Sequence, residues 1–492
     1  MRTRLPSSTS LTSSKNEIVN HSAVGMVETA LIIVPHPDDE INLAGGVLGL
    51  LHDSGVRTTV LICTNGDYMG ERAARRISEA RKTQGLFGYD ELIFLGYGDT
   101  YAGTHVYDMR DNAVATSHAG HRETYVAGDE REYCLDRTGR HHAYTRENYK
   151  NDMRDVVLEK RADLIICIDL DRHPDHRCVS LLFDECMGEI LKWDQSYHPI
   201  ILKGFAYNGV WFGPHDFFDT PVKPTSVLLE EGRTIEEECF PYDWEQRIRV
   251  KSDDRTQSLK LWRNPVFKAL WYQNTQNDYS RLGYCALNRF PRVANPDCCY
   301  WYRNTCNLAL SARVEVSSGD AVYLNDFMLA VPENSLSDDL CHHSRGWTPD
   351  AEDKLPTVSL LFQRPVRLSH IVIYQNSDSA LEVVTVKTDN GDETRCQCTH
   401  GNVVTIGLPA QGEGTTLPAT TTRLTLQMDS YDNLVINEIE CYEQDSGFPW
   451  DKVPFCRYDG RPATRNRLFA FLAERCFTAL VGMAKRVSKR NF

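Results

Sequence analysis

The sequence predicts an α/β domain with a parallel β-sheet covered by helices on both faces, followed by an all-β jelly-roll sandwich and a C-terminal amphipathic helix. Three patterns predict this order. From about Val27, short β-branched runs alternate with helical stretches, which is typical of βαβ units. Beyond about residue 300, short strands follow one another without helical segments. Near the C-terminus, apolar residues recur at spacings of three and four, the period of one helix face.

The α/β domain is assigned to residues 26–297. Its first strands and helices are predicted, in order, from ALIIV, INLAGGVLGLLHDSG, RTTVLICT, RAARRISEARKTQGLFG and ELIFLG. Further on, NYKNDMRDVVLEKR predicts a helix and ADLIICIDL a fully buried strand, so the sheet continues there. Residues 103–148, between these parts, are polar and too long for an ordinary connection. We expect them to form a lid or a wall over a site.

The β-sandwich is assigned to residues 300–445 and a C-terminal extension to residues 446–492. Its strands are predicted from ARVEVSS, TVSLLF, LSHIVIYQN, EVVTVKTD, NVVTIGL, TRLTLQMD and VINEIECYE. In the extension, an apolar stripe runs from Leu468 to Val487, and the charges beside it are almost all positive. Such a helix either lies on an anionic membrane surface or packs its stripe on its own protein, and both interpretations stay open.

Composition limits the partners and the compartment. The 492-residue chain has a formal net charge of −14 and an isoelectric point near 5.6, so nucleic acid is not expected as a partner. Residues 1–25 are predicted to be disordered and lack the apolar core of a secretory signal. The cysteines are scattered without paired CxxC spacing, which predicts reduced thiols in a cytoplasmic protein. A membrane-binding terminal helix would place it at the inner face of the membrane.

Two clusters of histidine and carboxylate residues directly follow predicted buried strands. LIIV precedes PHPDDE, and LIICIDL precedes DRHPDH. The carboxyl ends of parallel strands meet at one edge of the sheet, where open α/β sheets bind their ligands, so both clusters are expected to face one crevice. A single His-Pro-Asp turn is more often a capped helix start. Two of them in one domain predict a metal site.

The metal ligands are predicted from the spacing within these clusters. His36 and Asp39 are separated by one tight turn, so an imidazole and a carboxylate can bind one cation. His176 from the second cluster would complete a facial set of two histidines and one carboxylate, leaving positions for water and substrate. This set suits catalytic zinc or ferrous iron, and we expect zinc.

The remaining residues of the clusters suggest catalytic roles. Asp38 is placed beside the metal to take a proton from water as the general base. His173 would face the metal from the other strand and donate to an oxyanion. Asp175 is expected to be an acceptor that orients a histidine.

The motifs PHPDDE, TNGD, RISEA and HPDH, in this order, resemble the PIG-L/LmbE family of zinc-dependent de-N-acetylases over residues 27 to about 280. The resemblance implies a Rossmann-like fold and hydrolysis of an N-acetyl group, typically from an N-acetylglucosaminyl conjugate. It implies zinc on His36, Asp39 and His176, with Asp38 as general base. It also implies that Arg76 of RISEA faces the substrate. The stretches 103–150 and 221–260 depart from the compact family pattern.

The β domain resembles the discoidin-like, coagulation-factor type carbohydrate-binding modules. The resemblance rests on NLALSARVEVSSG, GWTPD, VSLLFQRPVRLSHIVIYQN and VINEIECYE. It implies a glycan as a further partner. Trp347 in GWTPD is either a platform for a sugar ring or a core residue.

The sequence thus predicts a zinc-dependent hydrolase that removes an N-acetyl group from an N-acetylglucosamine-type sugar or glycoconjugate and releases acetate. One alternative is an amidase that acts on another N-acyl conjugate, such as a thiol conjugate. Another is a glycan-binding protein whose catalytic domain is vestigial, although such a protein would be expected to have lost a ligand or Asp38.

Overall fold

A computed structural model describes most of the chain between residues 26 and 458. The described ranges are 26–68, 70–100, 106–170, 173–206, 241–243, 246–258, 260–276, 297–329, 331–332, 344–376, 378–398, 401–408, 420–443 and 447–458. The predicted disordered segment 1–25 and the predicted terminal helix lie outside these ranges. Among the described helices, none has both the length and the apolar composition that crossing a membrane requires.

A seven-stranded sheet forms the first half of the molecule. Its strands are β1 Thr29–Val34, β2 Arg57–Thr64, β3 Glu91–Tyr97, β4 Leu164–Ile168, β5 Ile200–Gly204, β6 Ile248–Lys251 and β7 Asp297–Arg303, in the order β3-β2-β1-β4-β5-β7-β6. β1 to β5 are parallel, whereas β6 and β7 are antiparallel to their neighbours. Every residue of β4 is buried, as expected of a strand covered on both faces. The predicted parallel sheet is therefore confirmed, with two antiparallel strands added.

Seven α-helices are described in this half, and six of them form two contacting groups. They are α1 Asp39–Ala44, α2 Leu48–Asp53, α3 Ala73–Phe87, α4 Tyr133–Thr138, α5 Arg146–Lys160, α6 Pro174–Trp193 and α7 Pro265–Tyr272. α3 contacts α2 and α7, and α7 contacts α1, whereas α5 packs against α6. From β1 the sheet grows in opposite directions through β2 and through β4. Right-handed crossovers running in opposite directions place their helices on opposite faces of a sheet.

The second half contains antiparallel sheets. Its strands are β8 Arg313–Val316, β9 Val331–Pro332, β10 Ser344–Arg345, β11 Thr357–Val366, β12 His370–Gln375, β13 Ala380–Thr388, β14 Glu393–Gln397, β15 Val403–Gly407, β16 Thr421–Asp432 and β17 Ile436–Tyr442. A five-stranded sheet, β14-β13-β16-β11-β8, and a three-stranded sheet, β15-β12-β17, enclose one apolar core. Trp347 is fully buried in it and donates from Nε1 to the carbonyl of Ser318 at 2.8 Å. Trp347 is therefore a core residue and not an exposed sugar platform.

The chain returns to the first sheet after the sandwich. Residues 447–458 contact this sheet at two places, since Val27 N, just before the central strand β1, donates to the Lys452 carbonyl at 2.9 Å and Lys251 N on the edge strand β6 donates to the Cys456 carbonyl at 2.8 Å. Val453 and Phe455 are buried in the larger core. The start of the predicted C-terminal extension thus completes the α/β half.

Buried charges join the two halves. Arg303, at the end of β7, is 1% exposed; its guanidinium donates to the Phe327 carbonyl at 2.6 Å and lies within 3.9 Å of Asp184 on α6 and 3.8 Å of Glu440 on β17. Burial by itself lowers the pKa of Arg303, but these two carboxylates contribute to raising it above its usual value. Gly188 allows α6 to lie close to the backbone of Asp326, because a Cβ at residue 188 would lie 2.1 Å from the carbonyl oxygen of Asp326.

Asp326 at this junction leads to a prediction on pH dependence. Burial raises its pKa to about 7, and its own N–H donates to Glu438 at 2.9 Å. Because an unfolded aspartate ionises near pH 4, the folded state loses stability as the pH rises from about 4 to about 7, and the loss is complete above 7. We expect Asp326→Asn to leave the free energy of unfolding unchanged at pH 4 and to raise it by about 1–2 kcal/mol at pH 8. Urea titrations at both pH values measure this, and an equal difference at the two would contradict it.

Candidate metal centre and active site

Four strands of the parallel core deliver polar residues to one edge of the sheet. β1 is followed by the turn His36–Glu40, β2 by Asp67, β3 by Asp99 and β4 by the segment that opens α6. These carboxyl-terminal strand ends share one edge because the strands are parallel. The two clusters predicted from the sequence lie together there: the ring centroids of His36 and His176 are 5.3 Å apart, and those of His173 and His176 are 4.7 Å apart.

The carboxylate of Asp39 lies between two of the histidines. Its Oδ2 is 2.9 Å from Nδ1 of His36 and 3.1 Å from Nε2 of His176, and all three side chains are buried. Asn42 donates to the other oxygen at 3.3 Å. The three residues predicted as metal ligands are therefore adjacent in space. His173 also contributes a nitrogen that lies within 4.8 Å of nitrogens of His36 and His176.

Carboxylates surround the ring of His36. Its nitrogens lie 2.9 Å from Asp39, 3.0 Å from Asp175 and 4.0 Å from Asp99. Although burial by itself lowers the pKa of His36, the three carboxylates together raise it well above its usual range. The pKa of Asp39 is lowered, against the effect of its burial, by His176 and His36. This excess of buried negative charge, beside imidazole nitrogens, is an environment that fits a divalent cation.

His173 caps α6 through its ring. Its Nδ1 accepts from the N–H of Asp175 at 3.2 Å, so in the neutral ring the proton lies on Nε2. Asp175 in turn accepts from Thr100 N at 3.2 Å and from the Thr100 hydroxyl, and its Oδ2 lies 3.0 Å from Nε2 of His36. The histidine that Asp175 contacts is His36, at 3.0 Å, and its role in orienting that ring remains a prediction.

Asp38 occupies a strained position. Its φ is +120°, in the region that non-glycine residues rarely adopt. Arg76 on α3 fixes this turn, because its Nη2 donates to Asp38 Oδ1 and to the Pro37 carbonyl, both at 2.9 Å. Glu40 accepts from Asp38 N at 2.9 Å, and burial raises the pKa of Glu40 to about 8. Arg76 lies against the proposed base, and its contact with substrate remains a prediction.

Sequence reasoning missed the residues that follow β3. Asp99 accepts from the Thr64 hydroxyl at 2.7 Å, from Tyr68 N at 3.2 Å, and lies 3.9 Å from Arg76. Its own N–H donates to Asp67 at 2.7 Å. The signal is weaker than for the two clusters, since GDT directly follows β3 with a single aspartate and no histidine.

The polar segment expected to form a wall packs against the end of β3. His118 N donates to the Asp99 carbonyl at 2.9 Å, and Tyr125 N donates to the Gly96 carbonyl at 2.9 Å. The Tyr125 hydroxyl donates to Asp67 at 2.6 Å, and the Tyr144 hydroxyl donates to the Gly98 carbonyl at 2.9 Å. Its described part, from residue 106 onward, therefore borders the crevice.

Comparison with known proteins supports the resemblance that the motifs predict. Residues 31–187 match the family described as PIG-L: GlcNAc-PI de-N-acetylase. The diacetylchitobiose deacetylase of Thermococcus kodakarensis is 35% identical over 83 residues, which cover 15% of this chain and 31% of that protein. The chain thus spans about a third of the length of this curated relative. The predicted resemblance to the PIG-L family is confirmed.

Solved structures similar to the chain are of two kinds. One is an N,N'-diacetylchitobiose deacetylase from Pyrococcus horikoshii, in complex with an inhibitor, with 21% identity and a TM-score of 0.25 over 36% of this chain and 60% of that one. The other is the fucose-binding module SpX-3 of Streptococcus pneumoniae, with 17% identity and a TM-score of 0.21 over 28% of this chain and 98% of that one.

Proposed function

We propose that the protein is a zinc-dependent hydrolase that removes an N-acetyl group from an N-acetylglucosamine-type sugar or glycoconjugate and releases acetate. The observation that carries the proposal is the meeting of two distant histidine and aspartate clusters around Asp39. The family match over residues 31–187 and the deacetylase relative support the same reaction class.

The metal would be held by His36, Asp39 and His176. When bound there, zinc would polarise the acetamide carbonyl and lower the pKa of water. Asp175 supports the set by holding the ring of His36. The imidazole of His173 is also of the ligand type that zinc takes. Because the proton of its neutral ring lies on Nε2, we assign His173 the role of hydrogen-bond donor and not that of a metal ligand.

The chain's own residues would carry the proton and the developing charge. Asp38, held by Arg76, accepts a proton from the attacking water and returns it to the nitrogen of the departing amine. The Nε2–H of His173 donates to the carbonyl oxygen as it becomes an oxyanion. The guanidinium of Arg76 donates to Asp38 Oδ1 at 2.9 Å, and this charge-assisted hydrogen bond holds the carboxylate in the crevice.

The sandwich is proposed to bind a glycan and to hold the substrate near the crevice through a second weak contact. Hydrolysis of another N-acyl conjugate, such as a thiol conjugate, would use the same residues. A vestigial catalytic domain is disfavoured, because every predicted ligand and Asp38 are present and adjacent. Cytoplasmic location and contact of the terminal helix with membrane remain predictions.

Acetate release from a panel of amides tests the proposal. We expect release from N-acetylglucosamine or N,N'-diacetylchitobiose, loss of release with a chelator, and recovery when zinc is added back. An N-acetylcysteine conjugate and an N-acetylated peptide are the comparison substrates. Release from the thiol conjugate alone would favour the alternative amidase, and no metal-dependent release from any substrate would contradict the proposal.

A further inference from the structure

A second group of metal-ligating side chains lies apart from the proposed active site, where the polar wall segment meets α5. Cys134 lies on α4, His142 follows that helix, and Asp152 lies on α5. One ligand atom from each lies within 4.8 Å of the other two. His142 Nδ1 is 2.9 Å from Asp152 Oδ1 and 3.1 Å from Oδ2, and Cys134 is a free thiol.

Two of these groups are deeply buried and anionic when ionised. Cys134 is 1% exposed and Asp152 is 4% exposed. Within the described part of the chain, His142 is the one basic side chain within ion-pair distance of Asp152. Burial raises the pKa of both Asp152 and Cys134. A divalent cation held between the two groups would stabilise their ionised forms, which burial by itself disfavours.

Neighbouring hydrogen bonds fix the three side chains. The Tyr97 hydroxyl on β3 donates to Asp152 Oδ2 at 2.6 Å. Thr124 Oγ1 lies 3.1 Å from the Cys134 sulfur and accepts from His142 N at 3.0 Å. Such outer contacts hold metal ligands in place in known sites. The His142 side chain is 20% exposed, which leaves a path for an ion from solvent.

We propose that Cys134, His142 and Asp152 form a second metal site that takes a divalent ion of the borderline-soft class, with zinc as the preferred ion. Thiolate, imidazole and carboxylate are all zinc ligands, whereas magnesium and calcium avoid sulfur. Binding releases the thiol proton of Cys134 to solvent and leaves the thiolate on the metal. The site joins the wall segment to α5 and to the sheet behind it, so its role is structural. It does not depend on the proposed deacetylase reaction.

Cobalt substitution of the full chain separates the two sites. Cobalt(II) bound to a thiolate gives a charge-transfer band in the near ultraviolet, whereas cobalt bound through nitrogen and oxygen alone does not. We expect this band in the wild type and in His176→Gln, and its loss in Cys134→Ser. Cys186→Ser is the matched control, because Cys186 is also buried and its thiol donates to a backbone carbonyl at 3.3 Å. The control should keep the band.

Metal content and folding complete the test. We expect Cys134→Ser and His142→Gln each to hold one equivalent of zinc fewer than the wild type, with circular dichroism showing that both variants are folded. His142→Gln keeps the thiol, so it reports on the site even where replacement of the cysteine affects folding. A wild type without the band, or a band that persists in Cys134→Ser, would overturn the proposal. If the proposed active site bound no metal and the second site did, the band would still be present.

Discussion

Asp38→Asn is expected to lower kcat for acetate release by about 10²- to 10⁴-fold, which is the usual contribution of a general acid and base. The asparagine removes the proton acceptor and keeps the shape of the side chain. Asparagine also tolerates positive φ better than most residues, so the turn at φ +120° is expected to persist. Because the charge of Asp38 is proposed to act in proton transfer, KM should change much less than kcat. Initial rates of acetate release measure both constants.

A second aspartate controls for the substitution itself. Asp90 also accepts a hydrogen bond, from Thr58 N at 2.8 Å, and it precedes β3, at the opposite edge of the sheet from the crevice. Asp90→Asn should retain kcat within about twofold, the scale of surface substitutions. The assignment of the base would fail if Asp38→Asn retained wild-type kcat, or if both variants lost activity equally.

Arg303→Met is expected to lower the free energy of unfolding by about 3–5 kcal/mol, the cost of removing one partner from a buried ionic group. Methionine keeps an aliphatic chain over the ring of Phe327, which the guanidinium contacts at 4.0 Å. It leaves Glu440 without its cation and breaks the bond to the Phe327 carbonyl. Asp184 still has Lys203 as an ion-pair partner at 2.8 Å. The loss of stability is therefore expected to come mainly from the contacts that Arg303 makes with the sandwich.

An exposed arginine provides the control. Arg313 pairs with Glu315 on β8 with 73% of its side chain exposed, and Arg313→Met should cost less than about 1 kcal/mol. Adding Glu440→Gln to Arg303→Met should recover part of the loss, because the uncompensated charge is then removed. Denaturant unfolding measures each variant. Equal losses for the two arginine variants would show that the buried pairs do not stabilise the junction.

The two clusters of the site were predictable because each is continuous in the sequence and follows an apolar run. LIIV and LIICI are buried strands, and the rule that parallel strands share an edge then places His36 and His176 together. Asp99 follows the same rule after β3. It was missed because a single aspartate after a strand has no pattern that distinguishes it from an ordinary turn residue.

Contacts between distant segments were not predictable from local patterns. The contact of Arg76 with Asp38 depends on the strained turn at Asp38. The helix pattern does not distinguish Arg76 from its neighbour Arg75, which carries the same side chain. The pairing of β7 with β5 joins segments about a hundred residues apart in the chain. The core role of Trp347 likewise follows from its burial between two sheets, which its loop sequence does not indicate.

The chain leaves the first sheet after β7 and returns to it at residues 447–458. The sandwich is therefore connected to the α/β half by two chain segments. Two such connections restrict rotation of the sandwich relative to the α/β half far more than a single linker would. The sandwich and the α/β half are therefore expected to keep one fixed orientation relative to each other.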